Sequence, residues 1–156
     1  MLTALKYGRP PGIRSEDIIS LRSKQLAIRS EVDRLQALRD TRSMALGIGF
    51  DPMEAALIVA AIAELVQNLL RYAGTGEVSI REVSAGATRG IEVTVVDHGP
   101  GIRDIELAMS VGYSTSRGLG LGLPACRRIM DDFDLKSAPG EGTVIKTAKW
   151  LHYAGI

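Results

Sequence analysis

The chain has 156 residues, 46% of them apolar and 24% charged, about what one compact globular domain needs to bury its own core. Its 19 Lys and Arg nearly balance 18 Asp and Glu, leaving a formal charge of +1, so no overall field draws it to nucleic acid or to an anionic membrane. The longest uninterrupted apolar stretch, Ala55 to Ala63, falls well short of the roughly 20 residues that span a bilayer, and Met1 to Pro11 lacks the apolar core of a secretory signal, so cytoplasmic residence is the expectation.

Residues 1–22 contain the Pro10-Pro11-Gly12 break and a short candidate helix from Ser15 to Leu21, with too little apolar material for a core. They are set apart as an N-terminal extension of unknown role, and the domain proper is expected over 23–153. Its first strand is the run Gln25 to Ile28. Ser30 and Asp33 offer an oxygen acceptor and an acid in capping spacing, opening a helix toward Leu46 that Gly47 and Gly49 stop. Asp51-Pro52-Met53-Glu54 starts a second helix with an N-cap, a proline at its first position and an acid at its third. That helix is apolar almost all round and is expected to lie buried as far as about Tyr72. Val78 to Val83 and Ile91 to Val96 read as a hairpin. A short helix at 104–110, a Gly- and Ser-rich loop at 112–120, a helix to about Phe133 and two strands flanking Pro139 to Gly142 follow. Cys126, the single cysteine, has no partner for an internal disulfide and no neighbour in metal-ligand spacing, and is expected to pack a helix. Helices alternating with hairpins predict a two-layer α/β sandwich, a mixed, largely antiparallel sheet covered on one face by helices.

Glu64, Gln67, Asn68 and Arg71 share one face of the second helix. Spacing alone also fits the solvent side of an amphipathic helix. A carboxylate there has the chemistry to take a proton from an attacking hydroxyl, and an Asn oxygen is a hard ligand suited to Mg²⁺. The strand ending at Val96 delivers Asp97 into the turn His98-Gly99-Pro100-Gly101, whose glycines let backbone approach a ligand closely. Asp97 there either accepts the exocyclic amine of a purine or bonds its own turn. Gly118-Leu119-Gly120-Leu121-Gly122 precedes a helix, and free N–H groups beside a helix N-terminus form a cradle for phosphate. The motif lacks the Gly-Lys-Ser/Thr ending of a Walker loop, and the polar segment Tyr113 to Arg117 leading into it is no strand, which excludes a dinucleotide fingerprint. Arg117, with Ser114 to Ser116, adds phosphate donors if the loop folds over the ligand, and is otherwise solvated.

In order, Glu64-x-x-x-Asn68, Asp97-x-Gly99-x-Gly101, Gly118-x-Gly120-x-Gly122 and Gly142-Thr143 resemble the four nucleotide-binding boxes of the GHKL ATPase family. Within it the chain is similar to the RsbT-type switch kinases of bacterial stress signalling, through Ala63-Glu64-Leu65, Tyr72-Ala73-Gly74, Gly112 to Ser116, and Gly140 to Thr143 with Lys149-Trp150-Leu151, over about residues 24–151. The resemblance implies ATP bound with Mg²⁺ beneath a lid at 112–120. It gives Glu64 as catalytic base, Asn68 as Mg²⁺ ligand, and Asp97 as acceptor for the adenine amine. Gly99 and Gly101 match the turn beneath the nucleotide, Gly118, Gly120 and Gly122 match the phosphate cradle, and Thr143 matches a hydroxyl that helps fix adenine. The implied substrate is a serine or threonine on a STAS-domain antagonist or scaffold protein. The implied later partner is a PP2C-type phosphatase, activated by binding. Close relatives commonly carry Arg where Gln67 stands, so a phosphate or partner contact made by that Arg is here either lost or taken over by Arg71. A histidine kinase's catalytic domain is disfavoured, because neither His98 nor His152 lies on a dimerising helix. The competing implication is a non-catalytic, nucleotide-gated module that binds a sigma factor, as an anti-sigma factor does. Glu64 argues for chemistry, since nucleotide binding alone does not need a carboxylate beside the Mg²⁺ ligand.

Overall fold

A computed structural model describes residues 3–7, 9–101 and 122–151, with side chains from Arg9 onward. The helix expected at 104–110, the loop at 112–120, and with it Arg117, Gly118 and Gly120, lie outside the described residues. In chain order come β1 (Thr3–Tyr7), a single 3-10 turn (Ser15–Asp17), β2 (Ile18–Ile28), α1 (Glu31–Ile48), α2 (Pro52–Tyr72), β3 (Gly76–Ala85), β4 (Thr88–Asp97), α3 (Gly122–Ile129), β5 (Asp132–Ala138) and β6 (Gly142–Trp150). The strands form one six-stranded sheet in the order β1-β5-β6-β4-β3-β2. Every described pairing is antiparallel, so the expected two-layer sandwich stands with a sheet more uniform than mixed. Two of the pairings, β3–β4 and β5–β6, are hairpins, in which a short turn such as the one at Gly86 joins antiparallel neighbours without a crossover; the other three join strands that are not consecutive or have helices between them.

Local chemistry sets both long helices. Ser30, the N-cap, accepts from the Asp33 N–H, and the Asp33 carboxylate accepts from the Arg29 N–H one residue before the cap, which fixes the entry into α1. Asp51 accepts from the Glu54 N–H at 2.7 Å, with Pro52 in the first turn of α2. Such a cap contributes about 1 kcal/mol. At the other end of α2, Gly74 takes φ +84° and its N–H returns to the Leu69 carbonyl, which stops the helix.

The buried face of α2, carrying Ile58, Ile62, Leu65, Val66 and Leu69, packs against Val78, Ile80, Ile91, Val93 and Val95 of the central strands. Each of these fully buried side chains contributes on the order of 1.5–3 kcal/mol. The expectation of burial all round α2 is corrected: Met53 and Leu57 are 75% and 50% exposed. The helical layer is one helix deep, with α1 and α3 flanking α2, so its outer face has nothing above it among the described elements. α2 is also long and apolar enough to cross a membrane by length and composition alone; here it is the central helix of the core.

Two further elements depart from the sequence reading. The helix expected to reach Phe133 ends at Ile129, and Phe133 lies in β5 opposite Thr147. Asp131 makes the break: its N–H joins the Ala148 carbonyl and its carboxylate accepts from the Trp150 N–H, drawing the chain into the sheet. The strand expected to begin at Gln25 begins at Ile18, with a register shift between Ser20 and Arg22. Much of the region set apart as an extension therefore belongs to the sheet, Thr3–Tyr7 pairing with β5 and Ile18–Arg22 with β3. Between them the chain crosses the face opposite the helices. Arg9 pairs with Asp132 at 2.8 Å, and Ile13 and Ile18 pack over Trp150, Val83 and Ala148.

Candidate functional site

The polar stripe of α2 meets the start of α3. A Cβ built on Gly122 would lie 3.3 Å from Asn68 Nδ2 and 3.7 Å from Glu64 Oε2. The spacing that puts Glu64 and Asn68 one helical turn apart thus aims both at Gly122, the first described residue of α3. Glu64 is exposed, while Gln67 and Asn68 are half-buried. Leu123 and Cys126 hold α3 in the core. Burial pushes the Cys126 thiol up to about 12, and the nearby Glu64 carboxylate pushes the same way against a hydrogen bond with Thr147. Cys126 is therefore the neutral packing residue expected of it.

At the end of β4, Asp97 Oδ1 accepts from the Gly99 N–H at 2.9 Å. This is the turn-bonding expected of a capped Asp, and it leaves acceptor capacity on the carboxylate. The turn is held on three sides. A Cβ on Gly99 would fall 2.7 Å from Ala73 Cβ at the end of α2. One on Gly101, at φ +79°, would fall 2.3 Å from the Ala138 carbonyl, and one on Gly142, at φ +89°, would fall 2.1 Å from the Asp97 carbonyl. Glycine is required at Gly101 and Gly142 by both conformation and space. The contact of Gly99 with Ala73 ties the Asp97 turn to the helix that carries Glu64 and Asn68.

Thr143 is the register partner of Asp97 on β6, and Ser137 is the partner of Thr143 on β5. Thr143 is 8% exposed, and its Oγ1 lies 3.0 Å from Ser137 Oγ. The sequence reading missed Ser137. Its signal is alternation: Phe133, Leu135 and Ser137 share one face of β5, and a serine in an otherwise apolar inward row demands a polar partner. Glu64, Asn68 and Gly122 thus form one described cluster, and Asp97, Gly99, Gly101 and Thr143 another. They are joined through the C-terminal end of α2.

No group of three or more His, Cys, Asp or Glu able to hold a metal ion occurs among the described residues. The donor set near Gly122 nevertheless suits Mg²⁺, which binds through one or two protein oxygens and takes its other ligands from phosphate and water. The space that a Cβ on Gly122 would fill faces those donors.

A family model described as "Histidine kinase-, DNA gyrase B-, and HSP90-like ATPase" matches residues 53–152. The serine/threonine-protein kinase RsbT of Bacillus subtilis is 44% identical over 124 residues, covering 80% of this chain and 93% of its own length. An anti-sigma F factor of Thermoanaerobacter sp. is 30% identical over 102 residues, covering 63% of this chain and 71% of its own. Among solved structures, the RsbU and RsbW domains of a Mycobacterium tuberculosis protein superpose with a TM-score of 0.55 at 17% identity. That match covers 85% of this chain, which spans about a third (34%) of the longer one, and it speaks to fold alone. The chain belongs to the histidine kinase-, gyrase B- and HSP90-like, or GHKL, ATPase family. Its enzymatic class is that of an ATP-using serine/threonine-protein kinase.

Proposed function

We propose that the chain transfers the γ-phosphoryl group of ATP to a serine or threonine hydroxyl of a STAS-domain antagonist or scaffold protein, in the cytoplasm, as one step of a sigma-factor switch. The observation that carries the reading is the approach of Glu64 and Asn68 on α2 to Gly122 at the head of α3. It puts a proton acceptor, a hard oxygen ligand and an anion-binding helix end within a few ångströms of one another.

In this reading Asp97 accepts from the adenine amine, with Thr143 beside it, and Gly99 and Gly101 let the turn lie close under the base. Gly118, Gly120 and Gly122 present N–H groups to the phosphates, and Arg117 adds a charged donor. Mg²⁺, held through Asn68, would neutralise charge on the phosphate oxygens. Glu64 orients the acceptor hydroxyl and takes its proton as the new oxygen–phosphorus bond forms and the bond to the β–γ bridging oxygen breaks, its electron pair leaving with ADP. After transfer, the kinase is free to bind and activate a PP2C-type phosphatase.

The 30% identity to an anti-sigma factor supports a second reading, a nucleotide-gated module that binds a sigma factor without chemistry. Glu64→Gln separates the two. The kinase reading expects ATP to bind as before while phosphate transfer to a STAS-domain protein falls by about 10²–10⁴-fold. Unchanged transfer removes Glu64 as the base, and a wild-type protein that phosphorylates no STAS-domain partner while holding a sigma factor favours the second reading.

A further inference from the structure

Asp97, Thr143 and Ser137 are successive register partners across β4, β6 and β5. Their side chains lie on the same face as Val95, Ile145 and Leu135, two residues along each strand, all of which belong to the core under the helices. Ser137 is 1% exposed, and its hydroxyl donates to the Gly142 carbonyl at 2.9 Å. A Cβ on Gly101 would fall 3.1 Å from Ser137 Oγ, so the turn closes over this hydroxyl.

A serine hydroxyl carries one proton. With that proton committed to Gly142, the hydrogen in the 3.0 Å contact between Ser137 and Thr143 must come from Thr143. The Thr143 proton then points along the sheet toward β5. What Thr143 offers the space beside Asp97 is lone pairs, and Asp97 is itself an acceptor.

We propose that Ser137 is a positioning residue that sets base specificity: by fixing the direction of the Thr143 hydroxyl, it makes the base pocket a pair of acceptors selective for a 6-amino purine over a 6-oxo purine. The inference rests on the placement of adenine at Asp97 and Thr143 proposed above. An exocyclic amine brings two N–H donors, one for each acceptor. A carbonyl in the same place brings lone pairs against lone pairs, and sites built around such hydrogen bonds reject mismatched partners strongly. Ser137 acts through Thr143 and does not touch the base.

The test compares dissociation constants of ATP and inosine triphosphate, which differ at the 6-position and in the proton that the 6-oxo base carries on N1, for the whole chain and three variants, with melting temperatures alongside. Ser137→Ala frees the Thr143 proton to turn toward the base. The ATP preference is then expected to fall about tenfold, with inosine triphosphate gaining affinity. Thr143→Val, of matched shape, removes the acceptor and is also expected to lower the preference, by weakening ATP; it carries the test if the alanine variant fails to fold. A Ser137→Ala protein that loses affinity equally for both nucleotides, or a Thr143→Val protein with an unchanged ratio, overturns the proposal and leaves Ser137 a purely structural role. Asp97→Asn separates the two levels of the argument. If it weakens ATP while the Ser137→Ala ratio is unchanged, only the relay fails; if it binds ATP as the parent does, the adenine placement fails and the relay with it.

Discussion

Gly122 stands so close to Asn68 that a Cβ on the first would lie 3.3 Å from the amide nitrogen of the second. Gly122 opens α3 and is not among the glycines with positive φ, so alanine is conformationally acceptable there. Replacing a helical glycine by alanine stabilises by about 0.5–1 kcal/mol. The added methyl, however, faces Asn68 and Glu64 in the space assigned to phosphate. Gly122→Ala is therefore expected to melt at the same temperature as the parent or higher while binding ATP about tenfold more weakly. Thermal denaturation and nucleotide titration of one preparation check this, and unchanged affinity would remove the Asn68–Gly122 approach from the nucleotide site.

Gly142→Ala should behave in the opposite sense. Its φ of +89° strains any L side chain, and its Cβ would meet the Asp97 carbonyl at 2.1 Å, a backbone atom that cannot swing aside. Strain of this kind costs on the order of 1–3 kcal/mol. Because the clash falls on Asp97 itself, stability and ATP affinity are expected to fall together. Urea denaturation with nucleotide titration distinguishes this from Gly122→Ala, where the two move apart.

What was legible in the sequence was local. The caps at Ser30 and Asp51 involve partners within a few residues, so both helix starts read correctly. The Glu64–Asn68 spacing and the Asp97 turn are likewise short-range patterns. What escaped needed partners far along the chain. Ile18 to Leu21 show no alternation because β2 is an edge strand with exposed flanks and a register shift, and only its pairing with Val83 to Ala85 makes it a strand. Ser137 gains its meaning from Thr143 and Gly142 across a turn. The exposure of Met53 and Leu57 depends on how many helices lie above the sheet, which the composition of α2 does not encode.

Arg9 and Asp132 pin the N-terminal segment across the back of the sheet, with side chains only 20% and 11% exposed. Beneath it lies Trp150, the chain's single tryptophan, fully buried and with no partner for its indole N–H among the described residues. Arg9→Ala leaves Asp132 without this cation and is expected to cost about 1–3 kcal/mol, less than a fully buried pair because both groups keep some water. Trp150 reports the change directly. Its fluorescence should shift to the red and become more accessible to acrylamide, and deletion of residues 1–17, which removes Ile13 as well, should have the larger effect. Unaltered quenching in both variants would mean that the segment does not shield Trp150.

Cys126 supplies a pH-dependent prediction whose sign is fixed by burial. Its thiol is pushed from 9.0 to about 12, chiefly because the interior disfavours the thiolate. The neutral form is thus favoured in the folded chain. The associated stability is fully present below pH 9.0, declines as the unfolded chain alone ionises, and is lost once pH passes the folded value of about 12. Subtracting the stability profile of Cys126→Ala from that of the parent isolates this slope from the tyrosines and lysines that titrate in the same range. The thiolate is also the form that alkylates. At pH 8 the folded chain should react with iodoacetamide about a thousandfold more slowly than the urea-unfolded chain, from the difference in thiolate fraction alone. Comparable rates in the two states would mean that α3 opens readily enough to expose Cys126, and the cradle at Gly122 would then share that opening.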